Sequence, residues 1–316
     1  MNTTLIINIL VALILGGIFF YLLSVVVASF WIFYSTLSRK DKEKWGRRVS
    51  IPTDETLEMD KIGMAWHEKH IDAKKDVHIV RDGDNLYGEY YDLGYDRAVM
   101  ILSGRTESLR YGYYFAKPYE ESGFNVLVVD SRCHGYSDGR YITVGFEESK
   151  DALAWTRMLC ESYNVKTVIY HGICIGAAGA MLAITSPDCP EEVGGMVAEG
   201  MFPRFRESMR NNLIKRKRLM FPVLQLVMLH FRLHTGHTMR KGPANYITKM
   251  DKPLLMIHSK KDEFSTYDNA LKMFASCPSK NKTLVSYEKG AHSMLRITDT
   301  EKYDSAIVEF LKENFN

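Results

Sequence analysis

Gly172-Ile173-Cys174-Ile175-Gly176 sets a thiol between two glycines, where the apolar run Val168–Tyr170 gives way to the small residues Gly176–Ala180. This is the strand–turn–helix pattern G-x-S-x-G, with Cys in place of Ser, that exposes a nucleophile at the tip of a sharp elbow. A turn so tight leaves no space for side chains at positions 172 and 176, and it holds the central residue strained. The helix start behind Cys174 supplies free N–H groups and a positive dipole end, both of which favour a thiolate. A thiolate that attacks an acyl carbon needs a base, an acid to orient that base, and donors for the developing oxyanion. Asp262 closes the run Leu254-Leu-Met-Ile-His-Ser-Lys-Lys-Asp262, and His292 follows Val285-Ser-Tyr-Glu-Lys-Gly-Ala. Glu263 is the acid's neighbour but is expected to point elsewhere, and Glu199 is the less favoured alternative. The oxyanion donors are expected to be the backbone N–H of Ile175 and that of Arg105, within Leu102-Ser-Gly-Arg-Thr-Glu-Ser108, leaving the Arg105 side chain free. The bland readings are a small buried apolar residue at Cys174 and a turn-forming carboxylate at Asp262.

Strand-like runs that would position these residues are Val77–Val80, Leu86–Tyr91, Arg97–Ser103, Asn125–Asp130, Thr167–His171, Gly195–Glu199, Pro253–His258 and Thr283–Tyr287. Ala98–Leu102, Val126–Val129, Val168–Tyr170 and Leu254–Ile257 are apolar without alternation, as in strands buried on both faces. Helical patterns alternate with the runs, which predicts a mostly parallel sheet covered by helices. Asp82-Gly83-Asp84-Asn85 turns the first two strands into an antiparallel hairpin. Eight strands opened by a hairpin match the α/β-hydrolase layout. The elbow then follows the fifth strand, Asp262 the seventh and His292 the eighth. An insertion at about 203–250 breaks the alternation and is expected to form a helical cap. It carries eleven Lys or Arg against the single acid Glu207, interleaved with the apolar stretch Leu219–Phe231. Such a cap suits contact with an anionic membrane surface, and equally a solvated cationic face over an ordinary cap helix.

Residues 1–38 contain no charged side chain and are apolar from Leu5 to about Tyr34. About 20 apolar residues cross a bilayer core, so the run is long enough to span one with a tilt. A cleaved signal peptide is the competing reading, but Met1-Asn2-Thr3-Thr4 supplies no positive charge. Arg39, Lys40, Lys42, Lys44, Arg47 and Arg48 crowd the far flank, which by the positive-inside rule puts the following domain in the cytoplasm. The expected organisation is an anchor over 1–38, a juxtamembrane segment over 39–75 and a catalytic domain over 76–316.

The 316 residues are 46% hydrophobic and 25% charged with a net charge of +3, a composition that supports a folded core. The five cysteines, Cys133, Cys160, Cys174, Cys189 and Cys277, are widely spaced with no CxxC pair. Neither a disulfide framework nor a metal site is indicated, and reduced thiols fit a cytosolic domain. No cofactor loop is present. The cap's charge comes without a nucleic-acid recognition motif, so no nucleic-acid partner is expected.

At these residues the chain resembles the α/β-hydrolase superfamily, and within it the lysophospholipase and monoacylglycerol-lipase group of serine aminopeptidase-type hydrolases. Ser103-Gly-Arg-Thr-Glu-Ser108 is similar to that group's P-G-R-x-E-S oxyanion loop. Asp130-Ser-Arg-Cys-His-Gly-Tyr-Ser137 is similar to its D-x-R-G-H-G-x-S loop, and Thr143–Glu147 followed by Asp151 is similar to the start of its next helix. Cys133 stands where the group has Gly, and Cys174 where it has Ser; dienelactone hydrolases pair Cys with His and Asp on the same fold. The resemblance implies hydrolysis of a carboxylic ester, of lipid-like type, through Cys174, His292 and Asp262. An acyl thioesterase and a non-catalytic membrane-tethered scaffold are the alternatives. Oligomeric state is not legible.

Overall fold

The computed structural model describes residues 3–38 and 52–315, so the cation cluster from Arg39 to Arg48 lies outside the described residues. Eight strands form one sheet: β1 (Lys74–Arg81), β2 (Asp84–Tyr91), β3 (Arg97–Leu102), β4 (Asn125–Val129), β5 (Thr167–Ile173), β6 (Val193–Glu199), β7 (Leu254–Ser259) and β8 (Lys282–Tyr287). Their order is β1-β2-β4-β3-β5-β6-β7-β8, with β2 antiparallel to both neighbours and the rest parallel. This is the α/β-hydrolase fold. Each expected strand is present; β1 begins at Lys74 because the hairpin register runs on to Lys74 opposite Tyr91.

Alternate residues of the central strands face opposite layers, and both layers are apolar. In β5, Val168 and Tyr170 join Trp155, Leu159, Ala177 and Met181 on one side. Ile169 and Ile173 join Tyr119, Phe124 and Phe310 on the other. The covering helices are α2 (Asp54–Lys69), α3 (Phe146–Tyr163), α4 (Ile175–Ile184), α7 (Tyr267–Ser276) and α8 (Thr300–Phe315), while α5 (Phe205–Lys215) and α6 (Val223–Thr235) build the cap between β6 and β7. The packed domain begins earlier than position 76. Met59 and Trp66 of α2 are buried in the same layer as Leu109 and Tyr113, and Trp66 Nε1 donates to Glu120 at 2.7 Å.

Helix α1 (Thr3–Leu37) divides into two lengths. No residue before Val25 is buried, whereas Val25, Ser29, Ile32, Phe33 and Leu37 are, a stripe of helical period along one face. Thr3–Ser24 at 1.5 Å per residue measures roughly 33 Å, about a bilayer core. The remainder packs on the cap: the Phe33 ring lies 5.1 Å from His234 and 5.4 Å from Tyr141, and the Phe30 ring 5.4 Å from His230. Its last turn is tied to the domain, with Ile142 N donating to the Leu37 carbonyl at 2.8 Å.

Candidate active site

The elbow has the backbone its glycines allow. Cys174 sits at φ 53°, ψ −108°, a conformation that L-residues enter only under constraint. A Cβ on Gly172 would lie 2.4 Å from Ala177 Cα, and one on Gly176 1.8 Å from the Leu102 carbonyl oxygen. Either clash would push the elbow off the sheet. Cys174 N donates to the Glu199 carbonyl at 2.9 Å, pinning the turn to β6. Ile175 opens α4, so its N–H has no acceptor within the helix.

Asp262 and His292 converge on this thiol from the ends of β7 and β8. His292 Nδ1 stands 2.6 Å from Asp262 Oδ2, while Asp262 Oδ1 accepts from Phe264 N and Ser265 N, both at 2.8 Å. The buried carboxylate is therefore fixed by two backbone donors before it meets the ring. The imidazole also interacts electrostatically with the Cys174 thiol, each favouring the charged form of the other. Burial opposes ionisation of that thiol, but the His292 ring and the Arg105 guanidinium outweigh it, so its pKa lies below the ordinary value. Burial likewise opposes charging His292, yet Cys174 and Asp262 raise its pKa well above the usual range. Both shifts point to a thiolate–imidazolium pair.

Glu263 faces away, paired on the surface with Lys215. Glu199 lies buried behind the site, accepting from Leu295 N at 3.1 Å and from Tyr303 OH at 2.7 Å; burial raises its pKa. It supports the His292 loop from beneath and makes no hydrogen bond to the ring. Arg105 lies in the loop over Cys174, where a Cβ on the preceding Gly104 would stand 3.5 Å from Cys174 Cβ.

The Asp130–Ser137 loop holds the loop that carries Arg105 in place. Asp130 Oδ1 accepts from Leu109 N at 2.8 Å, and His134 Nε2 accepts from Thr106 N at 3.3 Å. Gly135, at φ 46°, leaves room for the Asp130 carboxylate, which a Cβ there would approach to 2.0 Å. Cys133 occupies a left-handed position at φ 68°, which explains why glycine is the residue expected there. Arg132 fastens the loop to α3 by a two-pronged contact with Asp151 at 2.6 and 2.7 Å.

Two contributors escaped sequence reasoning. Gly200, at φ 59°, directly follows β6, and a Cβ there would sit 3.1 and 3.2 Å from ring atoms of His292. Tyr111 braces the histidine loop by donating to the Ser293 carbonyl at 2.6 Å. A glycine after a buried strand was a usable signal for the first; nothing local marked the second.

A cavity of about 270 Å³ opens over the thiol. Phe202, Phe205, Met209, Phe264 and Met294 give it apolar walls, and Thr36 of α1 closes one side. Among the described residues, no cluster of His, Cys, Asp and Glu has the makings of a metal site.

A family model described as serine aminopeptidase, S33, matches residues 95–252. The uncharacterized protein YqkD of Bacillus subtilis (strain 168) is 30% identical over 221 residues, which span 69% of this chain and 72% of that protein. The Pyrococcus furiosus esterase Pf2001 superposes with a TM-score of 0.66 at 24% identity, over 79% of this chain and 94% of its own. An esterase from Exiguobacterium antarcticum follows the same fold with a TM-score of 0.56 at 18% identity, over 75% of this chain and all of its own (100%).

Proposed function

The chain belongs to the serine aminopeptidase S33 family of α/β-hydrolases, and from that premise we propose that it is a membrane-anchored carboxylic ester hydrolase using Cys174, His292 and Asp262. One observation carries the reading. A strained thiol, an imidazole and a buried carboxylate meet in sequence at the floor of an apolar cavity, with a 2.6 Å contact between ring and carboxylate. A left-handed cysteine and a buried ion pair both cost stability, which a scaffold gains nothing by spending.

In this mechanism the Cys174 thiolate attacks the carbonyl carbon while the N–H groups of Ile175 and Arg105 receive the oxyanion. The His292 imidazolium donates its proton to the departing alkoxide. His292, neutral again and held by Asp262, then draws a proton from water, which cleaves the thioester and frees the acid. The apolar walls favour a lipid-like acyl chain. Acyl thioesters would pass through the same steps, and a thiolate nucleophile favours them as readily as activated esters.

The packed stripe from Val25 to Leu37 supports a retained anchor, because a cleaved leader would strip the cap of its partner. Cations after Ser38 favour a cytoplasmic catalytic domain by the positive-inside rule. The test is hydrolysis of a graded series of acyl esters and thioesters by the full-length protein in detergent. Cys174→Ala should abolish turnover and Cys174→Ser should keep part of it; undiminished hydrolysis by the alanine variant would end the proposal.

A further inference from the structure

Arg105 has a side chain that the mechanism above does not use. Its guanidinium lines the cavity between the end of α1 and Cys174, and Nη1 donates to the Thr36 carbonyl at 3.3 Å. Among the described residues this is its one hydrogen bond, and no carboxylate lies within ion-pair distance. The buried arginines Arg132 and Arg296 are paired, with Asp151 and Asp304 respectively, each at 2.6 Å, whereas Arg105 is half-buried. A guanidinium carries five donors in a rigid fork, and desolvating it without a partner is costly. The C-terminal end of α1 offsets part of that cost, as a helix end attracts a cation. The rest of the fork has no hydrogen-bond partner among the described residues, and Arg105 lines the cavity.

The charges around it are few. Glu107 of the same loop and the Cys174 thiolate attract it, while the exposed cap residue Arg216 repels it. Away from this corner the cavity wall is mainly apolar, through Phe202, Phe205, Met209 and Phe264, with Ser208 and Asn212 between them. The space is thus amphiphilic, cationic beside the anchor helix and greasy beneath the cap.

We infer that the Arg105 guanidinium binds an oxyanion carried by the substrate, a phosphate or a carboxylate, so that the preferred substrates are anionic amphiphilic esters. The backbone and side chain of one residue would then serve two ends of the same molecule: the N–H receives the carbonyl oxygen and the fork receives the anion. The charged group must accordingly sit within one arginine side-chain length of the scissile carbonyl. A planar two-pronged contact suits phosphate and carboxylate alike. This inference rests on the ester-hydrolase reading of Cys174.

The experiment uses the full-length protein in neutral detergent with two matched pairs. One pair is a 1-acylglycerol 3-phosphate against the 1-acylglycerol of equal chain length; the other is 4-nitrophenyl hydrogen glutarate against 4-nitrophenyl pentanoate. The wild type should favour an anionic member by at least about tenfold in kcat/KM, the worth of one charge-assisted contact. The phosphate and carboxylate arms tell which anion is read. Arg105→Gln should bring that ratio close to one and Arg105→Lys should keep most of it, whereas a role confined to capping α1 would lower both members together. A ratio unchanged by Arg105→Gln, or near one in the wild type, overturns the inference. Binding of the non-hydrolysable alkylglycerol phosphate and alkylglycerol, measured by calorimetry, decides it without turnover. If no ester is cleaved but the phosphate ether binds at least about tenfold more tightly, and only with Arg105 intact, the hydrolase reading fails and the anion site stands.

Discussion

Gly200→Ala is a small change aimed at the centre of the mechanism. The new methyl would stand 3.1 Å from His292 Cε1 and 3.2 Å from Nδ1, several tenths of an ångström inside ordinary contact. The ring has little freedom to retreat, since Nδ1 is bound to Asp262 at 2.6 Å and the Phe264 ring lies 5.5 Å away. A displacement of about 0.4 Å, on the scale where 1 Å costs roughly a hundredfold, lowers kcat/KM about five- to tenfold. The left-handed φ of 59° adds a backbone cost of about 1–2 kcal/mol, equivalent to roughly 2–6 °C in Tm for a domain of this size. Gly94→Ala separates the two effects. Gly94 has φ 89° with nothing within 4 Å of its built Cβ, so it carries the backbone cost without touching the ring. The assay is hydrolysis of a short 4-nitrophenyl ester by full-length variants, with thermal melts alongside. Both variants should melt lower and only Gly200→Ala should lose activity beyond the control. Equal losses in the two would refute the placement of His292 as the base.

Three further outcomes follow from the same geometry. The kcat/KM profile should be bell-shaped, falling on the acid side where the depressed Cys174 thiol is protonated and on the alkaline side where the elevated His292 loses its proton. In Cys174→Ser the acid limb should move to higher pH, because a neutral hydroxyl needs His292 deprotonated; a profile with the same acid limb would argue against the ion pair. Phe33→Ala empties a fully buried site between α1 and the cap and should cost about 3–5 kcal/mol, read as a lower Tm and faster proteolysis of the α5–α6 cap; an unchanged melt would mean that α1 does not pack there. Removal of residues 1–22 should leave a folded domain, since every packed position of α1 lies further on, whereas removal of residues 1–48 should uncover Val223, Val227 and Phe231 and cause aggregation. A monodisperse, active 49–316 fragment would contradict that coupling.

The sequence alone determined the eight strands, the elbow and the chain order of Cys174, Asp262 and His292, because each leaves a local mark. Buried strands read as unbroken apolar runs, and a sharp turn demands glycine on both sides of Ile173-Cys174-Ile175. The D-x-R-C-H-G-x-S segment was visible as a motif, but its work was not. That Asp130 and His134 hold the loop carrying Arg105 depends on hydrogen bonds between β4 and β3 loops, which no spacing encodes. Tertiary structure also decided that α2 belongs to the domain core and that α1 is two things at once. None of its first 22 residues is buried, and the remainder is a wall of the cap that ends at the cavity through Thr36. Hydropathy records only that a helix is apolar. Whether an apolar face meets lipid or another helix is settled by what the rest of the chain brings against it.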